Sequence, residues 1–349
     1  MAKRKKRLKT RRQHSFLTVL SRILFLLLVV VVIAAAVLFL VPLTETRDPV
    51  KIQGSEKWMG NISDDALLTE LSVPGTHDSA TEYVQLAFFS KCQASDIYTQ
   101  LNDGFRYLDI RLGMDKKGGD EALSLWHGFC RCKTSFWPWS PSMFLDDVLE
   151  QCYRFLDENP SETIIFSVKI ERDCSTSDFQ RLLKKYTDEN TDFWLLTDTI
   201  PKLGECRGKI VLFRRYADEA GLGKASGIEM IWNDQGNAYD INMNAAYEKE
   251  PGYTLLVQDR YKYGTDDKWS AFLRGLETPK ADGDVLRLHF LSTNGSVKFG
   301  HPYIHSKSLN QRLLGESLVM PESAFTTSWI IVDFSNAALA EHIYSVNFK

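Results

Sequence analysis

Eight short apolar runs recur along this chain, each bounded by turn-forming residues, and they constrain the fold more than any other feature. Helical patterns lie between several of the runs, at 142–158, 177–186, 268–276 and 336–344, and Ser142 is placed as the N-cap of the first. Strands that alternate with helices over about 290 residues predict an α/β fold, an irregular TIM-like (β/α)8 barrel. The predicted strands are residues 71–73, 107–112, 123–126, 164–170, 210–213, 255–259, 286–291 and 329–333.

Charged side chains occupy one face of several predicted strands. Asp109 and Arg111 alternate with apolar residues in the second strand, and Lys169 holds the equivalent phase in the fourth. A barrel strand is buried on both faces, so a phase that carries charge should point into the lumen near its C-terminal mouth. Asp259 and Asp333 end the sixth and the last strands, which adds two carboxylates to that mouth.

The first apolar run is followed by a pair of polar residues that are candidates for catalysis. Pro74 and Gly75 predict a sharp exit from the strand, which delivers His77 and Asp78 side by side. The unperturbed pKa of histidine lies near neutrality, so His77 can carry a proton. A second histidine, His127, ends the third run.

These residues suit a reaction that needs one base and one acid. Each histidine can use a carboxylate that orients its ring and raises its basicity. Arg111 and Lys169 supply positive charge for an anion, and arginine grips phosphate through two parallel hydrogen bonds. The set predicts phosphoryl transfer to an internal hydroxyl or to water, with no metal and no cofactor. A purely structural role for the pair of Asp109 and Arg111, or for Lys169 beside Glu171, is the alternative.

The N-terminus predicts a membrane segment. Residues 23–41 contain no charged side chain, a length that spans a hydrocarbon core, and basic residues precede them at 3–7 and 9–12. The positive-inside rule places the basic end in the cytoplasm and the rest outside. A cleavable signal that releases a secreted protein is the alternative. The predicted organisation is a cytoplasmic tail (1–15), a transmembrane signal-anchor (16–41), a linker (42–55) and a catalytic barrel (56–349).

Composition narrows the partners. The net charge of -3 offers no basic field of the kind that nucleic acid requires. All six cysteines follow the apolar segment, and a location outside the cell permits disulfides, although the sequence does not fix their pairing.

Taken together, several segments resemble the bacterial-type phosphatidylinositol-specific phospholipase C, an X-domain-containing phosphodiesterase family. The resemblance extends over residues 56–345, with its segments in the right order. It implies an irregular TIM barrel that cleaves phosphatidylinositol, or a glycosyl-phosphatidylinositol, to diacylglycerol and inositol 1,2-cyclic phosphate. The matching segments are 58–60 (WMG), 71–78 (LSVPGTHD), 104–112 (GFRYLDIRL), 126–128 (WHG), 160–171 (PSETIIFSVKIE), 207–216 (RGKIVLFRRY), 257–262 (VQDRYK) and 329–334 (WIIVDF).

The same resemblance implies a role for each histidine. His77 would take the proton from the inositol 2-hydroxyl, with Asp333 orienting its ring. His127, paired with Asp78, would protonate the departing diacylglycerol oxygen.

The remaining site residues are implied in the same way. Arg111 would stabilise charge on the phosphate, with Asp109 close by. The inositol pocket would consist of Lys169, Arg215, Asp259 and Tyr261. Because Arg214 is adjacent to Arg215, the sequence does not decide which of these two arginines belongs to the pocket.

One segment departs from the family pattern. Residues 129–143 carry Phe136, Trp137 and Trp139 among prolines, just beyond His127. We expect these rings either to enter the lipid interface or to pack against the rest of the barrel rim. The expected partner is phosphatidylinositol at a membrane surface, and the expected state is a monomer.

Two other functions share parts of this pattern. A metal-dependent glycerophosphodiesterase or sphingomyelinase-D-like barrel also uses two histidines, but it needs carboxylates around a divalent ion, against which Arg111 would sit awkwardly. A non-catalytic inositide- or glycan-binding barrel would need neither an acid nor a base.

Overall fold

The computed structural model describes residues 2–236, 245–249, 252–276, 285–296, 300–316 and 327–349. The chain forms two units, Met1–Glu45 and Thr46–Lys349. The first is one helix, α1 (Ala2–Thr44), in which Phe16–Thr44 is long and apolar enough to cross a membrane. The helix continues three residues beyond the predicted boundary at 41, since Pro42 is accommodated within its last turn.

The second unit carries all the strands. They are β1 (Val73–Thr76), β2 (Tyr107–Lys117), β3 (Asp120–His127), β4 (Cys130–Arg131), β5 (Thr163–Ile170), β6 (Trp194–Leu195), β7 (Lys209–Arg214), β8 (Ile228–Glu229), β9 (Ala245–Lys249), β10 (Tyr253–Gln258), β11 (Val285–Phe290) and β12 (Trp329–Val332). Its α-helices are α2 (Ala87–Ser90), α3 (Ile97–Asn102), α4 (Leu145–Glu158), α5 (Thr176–Glu189), α6 (Leu203–Cys206), α7 (Thr265–Leu276), α8 (Pro302–Glu316) and α9 (Ala337–Tyr344).

Eight parallel strands form the barrel wall. Within the described residues, the hydrogen-bonded order is β8-β7-β5-β2-β1-β12-β11-β10, which follows the chain around the wall. Side chains join its two ends: the Tyr253 hydroxyl donates to the Glu229 carbonyl, and Gln235 Nε2 donates to the Val257 carbonyl at 3.1 Å. The predicted TIM-like barrel is therefore confirmed, with an irregular seam.

One predicted barrel strand was wrong. Residues 123–126 lie in β3, which pairs antiparallel with the part of β2 that extends beyond the wall. Gly118 and Gly119 take φ angles of 65° and 105°, which are typical of a tight hairpin turn, and so β3 folds back as a flap. The missing barrel strand is β8, which has only two residues and therefore no detectable alternation.

The first strand also differs from prediction, because Pro74 and Gly75 lie inside β1 rather than at its exit. The ladder to β2 begins only at Gly75 and Tyr107, so the missing N–H of Pro74 costs no ladder bond. A Cβ on Gly75 would lie 2.3 Å from Ile331 Cδ1 and 2.8 Å from Tyr107 Cβ, so the side chains of the two neighbouring strands fill the space that a larger residue would need. The chain leaves the strand at His77.

In β2, β5 and β7, alternate residues enter two different apolar clusters, as the strand phases predicted. Tyr107, Ile165 and Phe213 fill the lumen, whereas Leu108, Phe166 and their neighbours pack outward against α4 and α5. The start of α4 differs from prediction: it begins at Leu145, and Asp147 rather than Ser142 caps it by accepting the Phe144 N–H at 2.8 Å.

All six cysteines lie within the described residues, and each is a free thiol. Cys130, Cys132, Cys152 and Cys206 are buried in the apolar clusters and serve as packing groups. Cys92 is buried beside the predicted site, with its Sγ 3.8 Å from His127 Nδ1.

Candidate active site

A cavity of about 770 Å³ opens at the C-terminal ends of the barrel strands. Eight of the ten predicted site residues line it: His77, Arg111, His127, Lys169, Arg215, Asp259, Tyr261 and Asp333. The other two, Asp78 and Asp109, are almost fully buried behind Arg111 and the histidines. The barrel therefore brings together residues that lie up to 256 positions apart in the sequence.

His77 lies where β1 ends, and its two ring nitrogens have different partners. Arg111 Nη2 is 2.8 Å from His77 Nε2, and because a guanidinium can only donate, Nε2 is the acceptor. The Nδ1–H therefore donates to Asp333 Oδ1 at 2.8 Å. Burial, reinforced by Arg111, lowers the pKa of His77, so the free imidazole is neutral and ready to accept a proton.

Asp333 follows β12 and is also buried. Burial, together with the nearby Asp78 carboxylate, raises the pKa of Asp333. The opposite shifts of Asp333 and His77 keep this hydrogen-bonded pair close to neutral before a substrate arrives.

Asp78 lies between the two histidines. Its Oδ2 is 3.2 Å from His77 Nε2 and 3.3 Å from His127 Nε2, so both nitrogens converge on one oxygen. The backbone of Asp78 is left-handed, with φ of 43°, which turns the chain away from β1 and buries the carboxylate. Burial raises the pKa of Asp78 to about 6.

Arg111 supplies the central positive charge. Besides His77, it contacts Asp78 Oδ1 at 3.0 Å and Asp109 Oδ2 at 2.9 Å. Burial alone would raise the pKa of Asp109, but Arg111 and Arg215 outweigh burial and lower it. Asp109 is therefore a fixed carboxylate that holds the two guanidinium groups in place.

His127 ends β3 and is more exposed than His77, with 23% of its side chain accessible against 14%. Its Nδ1–H donates to the Ser90 carbonyl at 2.8 Å, which fixes the tautomer and aims Nε2 toward Asp78. The two imidazole rings are 6.2 Å apart and nearly perpendicular.

Aromatic and charged groups line the remainder of the cavity wall. Arg215 stacks over Trp232 with its Cζ 3.7 Å from the ring centroid, and Trp232 Nε1 donates to Asp259 Oδ2 at 3.1 Å. The Tyr261 hydroxyl donates to Asp234 at 2.8 Å. Arg215 faces the cavity whereas Arg214 turns away toward Glu229, and this decides between the two adjacent arginines.

Sequence reasoning missed three contributors to this wall. Glu171 was considered only as a partner of Lys169, but it also accepts the Gly128 N–H at 2.8 Å and thereby joins β5 to the turn after His127. Trp232 and Asp234 lie in the irregular segment after β8, where no periodicity marked them. The only sequence signal for these two residues was an aromatic residue and an acidic residue close together in the chain.

One group of side chains has the spacing of metal ligands. Ligand atoms of His77, Asp78 and Cys92 lie within 4.8 Å of one another. The Arg111 guanidinium, in contact with both His77 and Asp78, already provides positive charge at this position.

The segment after His127 exposes large apolar rings. Trp139 is 76% exposed and stacks on Trp137 at 4.9 Å, and Phe136 packs on Trp137 at 4.4 Å. Phe129 and Leu86 are also exposed, and both line the cavity. The two stretches are joined by backbone hydrogen bonds, such as Gln85 N to the Arg131 carbonyl at 3.0 Å. We call the rings of Phe136, Trp137 and Trp139 the aromatic cluster.

Comparison with known proteins agrees with this architecture. Residues 68–216 match the family described as phosphatidylinositol-specific phospholipase C, X domain. A 1-phosphatidylinositol phosphodiesterase of Staphylococcus aureus (strain Newman) is 29% identical over 300 residues, which covers 80% of this chain and 88% of that protein. A protein of the same name from Listeria monocytogenes is 31% identical over 184 residues, 49% of this chain and 52% of the other.

Solved structures show the same fold. A phosphatidylinositol-specific phospholipase C from Staphylococcus aureus superposes with a TM-score of 0.68 at 23% identity, covering 84% of this chain and 98% of the other. A second structure of that enzyme, which concerns modulation of its membrane binding, gives 0.67 at 23% identity with 83% and 97% coverage. The family-model match, the similar proteins and the shared fold together confirm the resemblance predicted from the sequence.

Proposed function

We propose that this chain, a relative of the bacterial phosphatidylinositol-specific phospholipases C, cleaves phosphatidylinositol to diacylglycerol and inositol 1,2-cyclic phosphate. A glycosyl-phosphatidylinositol is a second possible substrate, since it presents the same phosphodiester. One observation carries the proposal above all others. The Nε2 atoms of two differently held histidines converge on one oxygen of Asp78 in the cavity, with a guanidinium against one of them.

The base in this proposal is His77. His77 lines the cavity, and its Nε2, once Arg111 has moved from it to the phosphate, takes the proton of the inositol 2-hydroxyl while that oxygen attacks the phosphorus. The Nδ1–H bond to Asp333 holds the ring in the tautomer that this step requires and stabilises the imidazolium that forms.

Arg111 couples substrate binding to basicity. In the free site its guanidinium donates to His77 Nε2 and depresses the pKa of that imidazole. A phosphate oxygen would attract Arg111, both by charge and by paired hydrogen bonds, and would release the imidazole lone pair. The base would therefore become stronger when the phosphodiester arrives, and the same guanidinium stabilises charge on the phosphate in the transition state.

The acid is His127. As an imidazolium it donates from Nε2 to the departing glycerol oxygen, while Nδ1–H stays on the Ser90 carbonyl. The Asp78 carboxylate stabilises this cation. Across the step His77 gains one proton and His127 loses one, so the pair is restored when a water molecule opens the cyclic phosphate with the roles reversed.

The inositol ring would lie against the wall formed by Lys169, Arg215, Asp259 and Tyr261. A sugar ring packs on an aromatic face while charged groups bind its hydroxyls, and this wall combines both in one place. Burial raises the pKa of Asp259, which favours a carboxyl that exchanges hydrogen bonds with hydroxyls.

The substrate is a lipid, and the exposed rings beyond His127 offer a place for it. Phe129 and Leu86 border the cavity, and the aromatic cluster extends from the same segment, in which residues 122–145 contain no carboxylate. Aromatic side chains of this kind favour the membrane interface, and an anionic lipid surface repels carboxylates. We place the bilayer against this side of the mouth, in line with the membrane binding of the Staphylococcus aureus relative.

The helix α1 serves as a signal or an anchor, and we favour the anchor. Basic residues precede its apolar stretch, so residues 1–15 would stay in the cytoplasm and the catalytic unit would be outside. Protease treatment of intact cells would then digest the catalytic unit and leave a short membrane-bound fragment. A soluble mature protein that begins after residue 36 would indicate a cleaved signal instead.

The activity is tested with the full-length chain in detergent micelles. Three substrates are offered separately: vesicles of phosphatidylinositol, vesicles of sphingomyelin, and a glycerophosphodiester. We expect diacylglycerol and cyclic inositol phosphate from phosphatidylinositol, at the same rate with and without chelator. His77→Asn should abolish this release. His342→Asn, the same change at a histidine on α9 that does not line the cavity, should not.

Each alternative function predicts another outcome. Release from sphingomyelin or the glycerophosphodiester that stops with chelator would indicate the metal-dependent class. Binding of phosphatidylinositol vesicles with no product from any substrate would indicate a non-catalytic barrel.

A further inference from the structure

A glutamine outside the cavity bridges the two strand ends that carry the base and its carboxylate. Gln93 is fully buried, and its Nε2 donates to the His77 carbonyl and to the Val332 carbonyl, each at 2.9 Å. Its Oε1 accepts the Ser335 N–H at 3.1 Å. One amide is thus bonded to the backbone of His77 itself and to backbone groups one residue before and two residues after Asp333.

The amide is placed where the strand ladder stops. The ladder between β1 and β12 reaches Thr76 and Val332 and ends with a bond from His77 N to the Val332 carbonyl at 3.0 Å. Beyond it Phe334 N donates to the Cys92 carbonyl instead of continuing the ladder. The His77 carbonyl therefore has no strand partner, and Gln93 takes that place.

The backbone at this point is under strain on both sides. Asp78, after His77, has φ of 43°, and Phe334, after Asp333, has φ of 50°. A left-handed conformation in a residue other than glycine persists only where surrounding contacts over-determine it. Gln93 bonds within one residue of each strained position, so it restrains both turns at once.

We propose that Gln93 is a positioning residue that sets the spacing between the His77 imidazole and the Asp333 carboxylate. The proposal rests on the proposed function, in which this pair is the base. Asn310 also bonds to this region, but it contacts only the Asp333 side of the pair: its Nδ2 donates to the carbonyls of Asp333 and Phe334. Gln93 contacts both strands, so its loss lets the two side chains move relative to one another.

The test compares Gln93→Met with Gln180→Met in the full-length chain in detergent micelles. Gln180 is also a buried glutamine with three hydrogen bonds, to Asp218, Ser226 and Ala220, but it lies on α5 outside the barrel wall. Both changes remove the same amide and keep the side-chain length. Any general loss of stability should therefore be common to the two variants, and activity is expressed per folded molecule.

We expect Gln93→Met to lower kcat about 10- to 100-fold with little change in KM, since displacement of a base by about 1 Å costs that much. Gln180→Met should leave both parameters unchanged. The proton NMR signal of His77 Nδ1–H, which reports the bond to Asp333, should shift or vanish only in Gln93→Met. This signal is independent of turnover, so it tests the positioning even if phosphatidylinositol is not the substrate.

Gln93→Asn serves if the methionine variant does not fold. It keeps an amide in the buried position but is one methylene shorter, so it reaches one strand end and not both; we expect a smaller fall in kcat with the same NMR shift. Equal kcat, KM and His77 signal in the Gln93 and Gln180 variants would overturn the proposal.

Discussion

The two histidines occupy ends of the cavity that differ in almost every physical respect. His77 has only 14% of its side chain accessible, is bonded through its two ring nitrogens to Asp333 and Arg111, and follows a barrel strand whose end is held by Gln93. His127 is more exposed, relies on a backbone carbonyl for its tautomer, and ends a flap strand that is not part of the barrel wall.

This difference assigns the two ends different tasks. A base must meet one hydroxyl in one geometry, and the hydrogen bonds that hold both ring nitrogens of His77 suit that task. An acid must protonate a lipid that enters and leaves, and the open end at His127, beside exposed Phe129, suits that one. Asp78 is shared by both rings, since its Oδ2 lies 3.2 Å from His77 Nε2 and 3.3 Å from His127 Nε2.

The largest effect is expected at the base. His77→Ala should lower kcat by about 10³- to 10⁴-fold, because it removes the imidazole that Arg111 contacts and that accepts the proton in this account. Product release from phosphatidylinositol vesicles measures this. His305→Ala, a change at a half-buried histidine of α8, is the control and should retain full activity. An active His77→Ala enzyme would remove the difference between the two ends.

Arg111→Lys should come next, with a fall in kcat of about 10²- to 10³-fold. A lysine carries the charge but not the fork that contacts His77, Asp78 and Asp109 together. Arg214→Lys is the matched control, since Arg214, the neighbour of Arg215 in the sequence, turns away from the cavity toward Glu229. Equal loss in both variants would show that the Arg111 fork has no specific role in catalysis.

Asp78→Asn should lower the maximal rate about 10- to 100-fold and change the pH profile of kcat/KM. Burial raises the pKa of Asp78 to about 6, so below that pH the carboxyl is neutral and no longer stabilises the His127 cation. Activity of the wild type should therefore rise as pH increases through about 6. The asparagine variant should lack this limb; an unchanged limb would assign it to another group.

The smallest effect on chemistry is expected at the aromatic cluster. Trp139→Ala should weaken binding to vesicles about 5- to 100-fold, because one exposed ring contributes roughly 1–3 kcal/mol at an interface. Turnover of a water-soluble inositol phosphodiester should be unaffected. The control is Phe348→Ala, because Phe348 is an exposed aromatic ring outside the cluster. Trp194→Ala would not serve, because Trp194 is buried. Loss of turnover on the soluble substrate would instead indicate that the cluster supports His127.

Much of this arrangement was readable from the sequence, and the reason is strand phase. Asp109, Arg111 and Lys169 alternate with buried apolar residues. In a barrel, charged residues in such a phase belong in the lumen near the C-terminal ends of the strands. The lumen and outer cores follow the same alternation. The structure brings these residues to one cavity, while their roles are the proposals tested above.

The parts that were missed lack periodicity. β8 is two residues long, and Trp232 and Asp234 follow it in an irregular segment. Gln93 lies in a loop, and nothing in the sequence indicates that its amide reaches two strands. The flap β3 was mistaken for a barrel strand because alternation shows that a strand exists but not which neighbour it pairs with.

The central claim, that His77 is the base and His127 the acid, is tested most directly by changing the leaving group. A nitrophenyl inositol phosphate releases an oxygen that needs no proton, so the acid becomes dispensable while the base does not. We predict that His127→Ala regains nearly the wild-type rate on this substrate and that His77→Ala stays inactive on it. Rescue of His77→Ala, or no rescue of His127→Ala, would contradict the account.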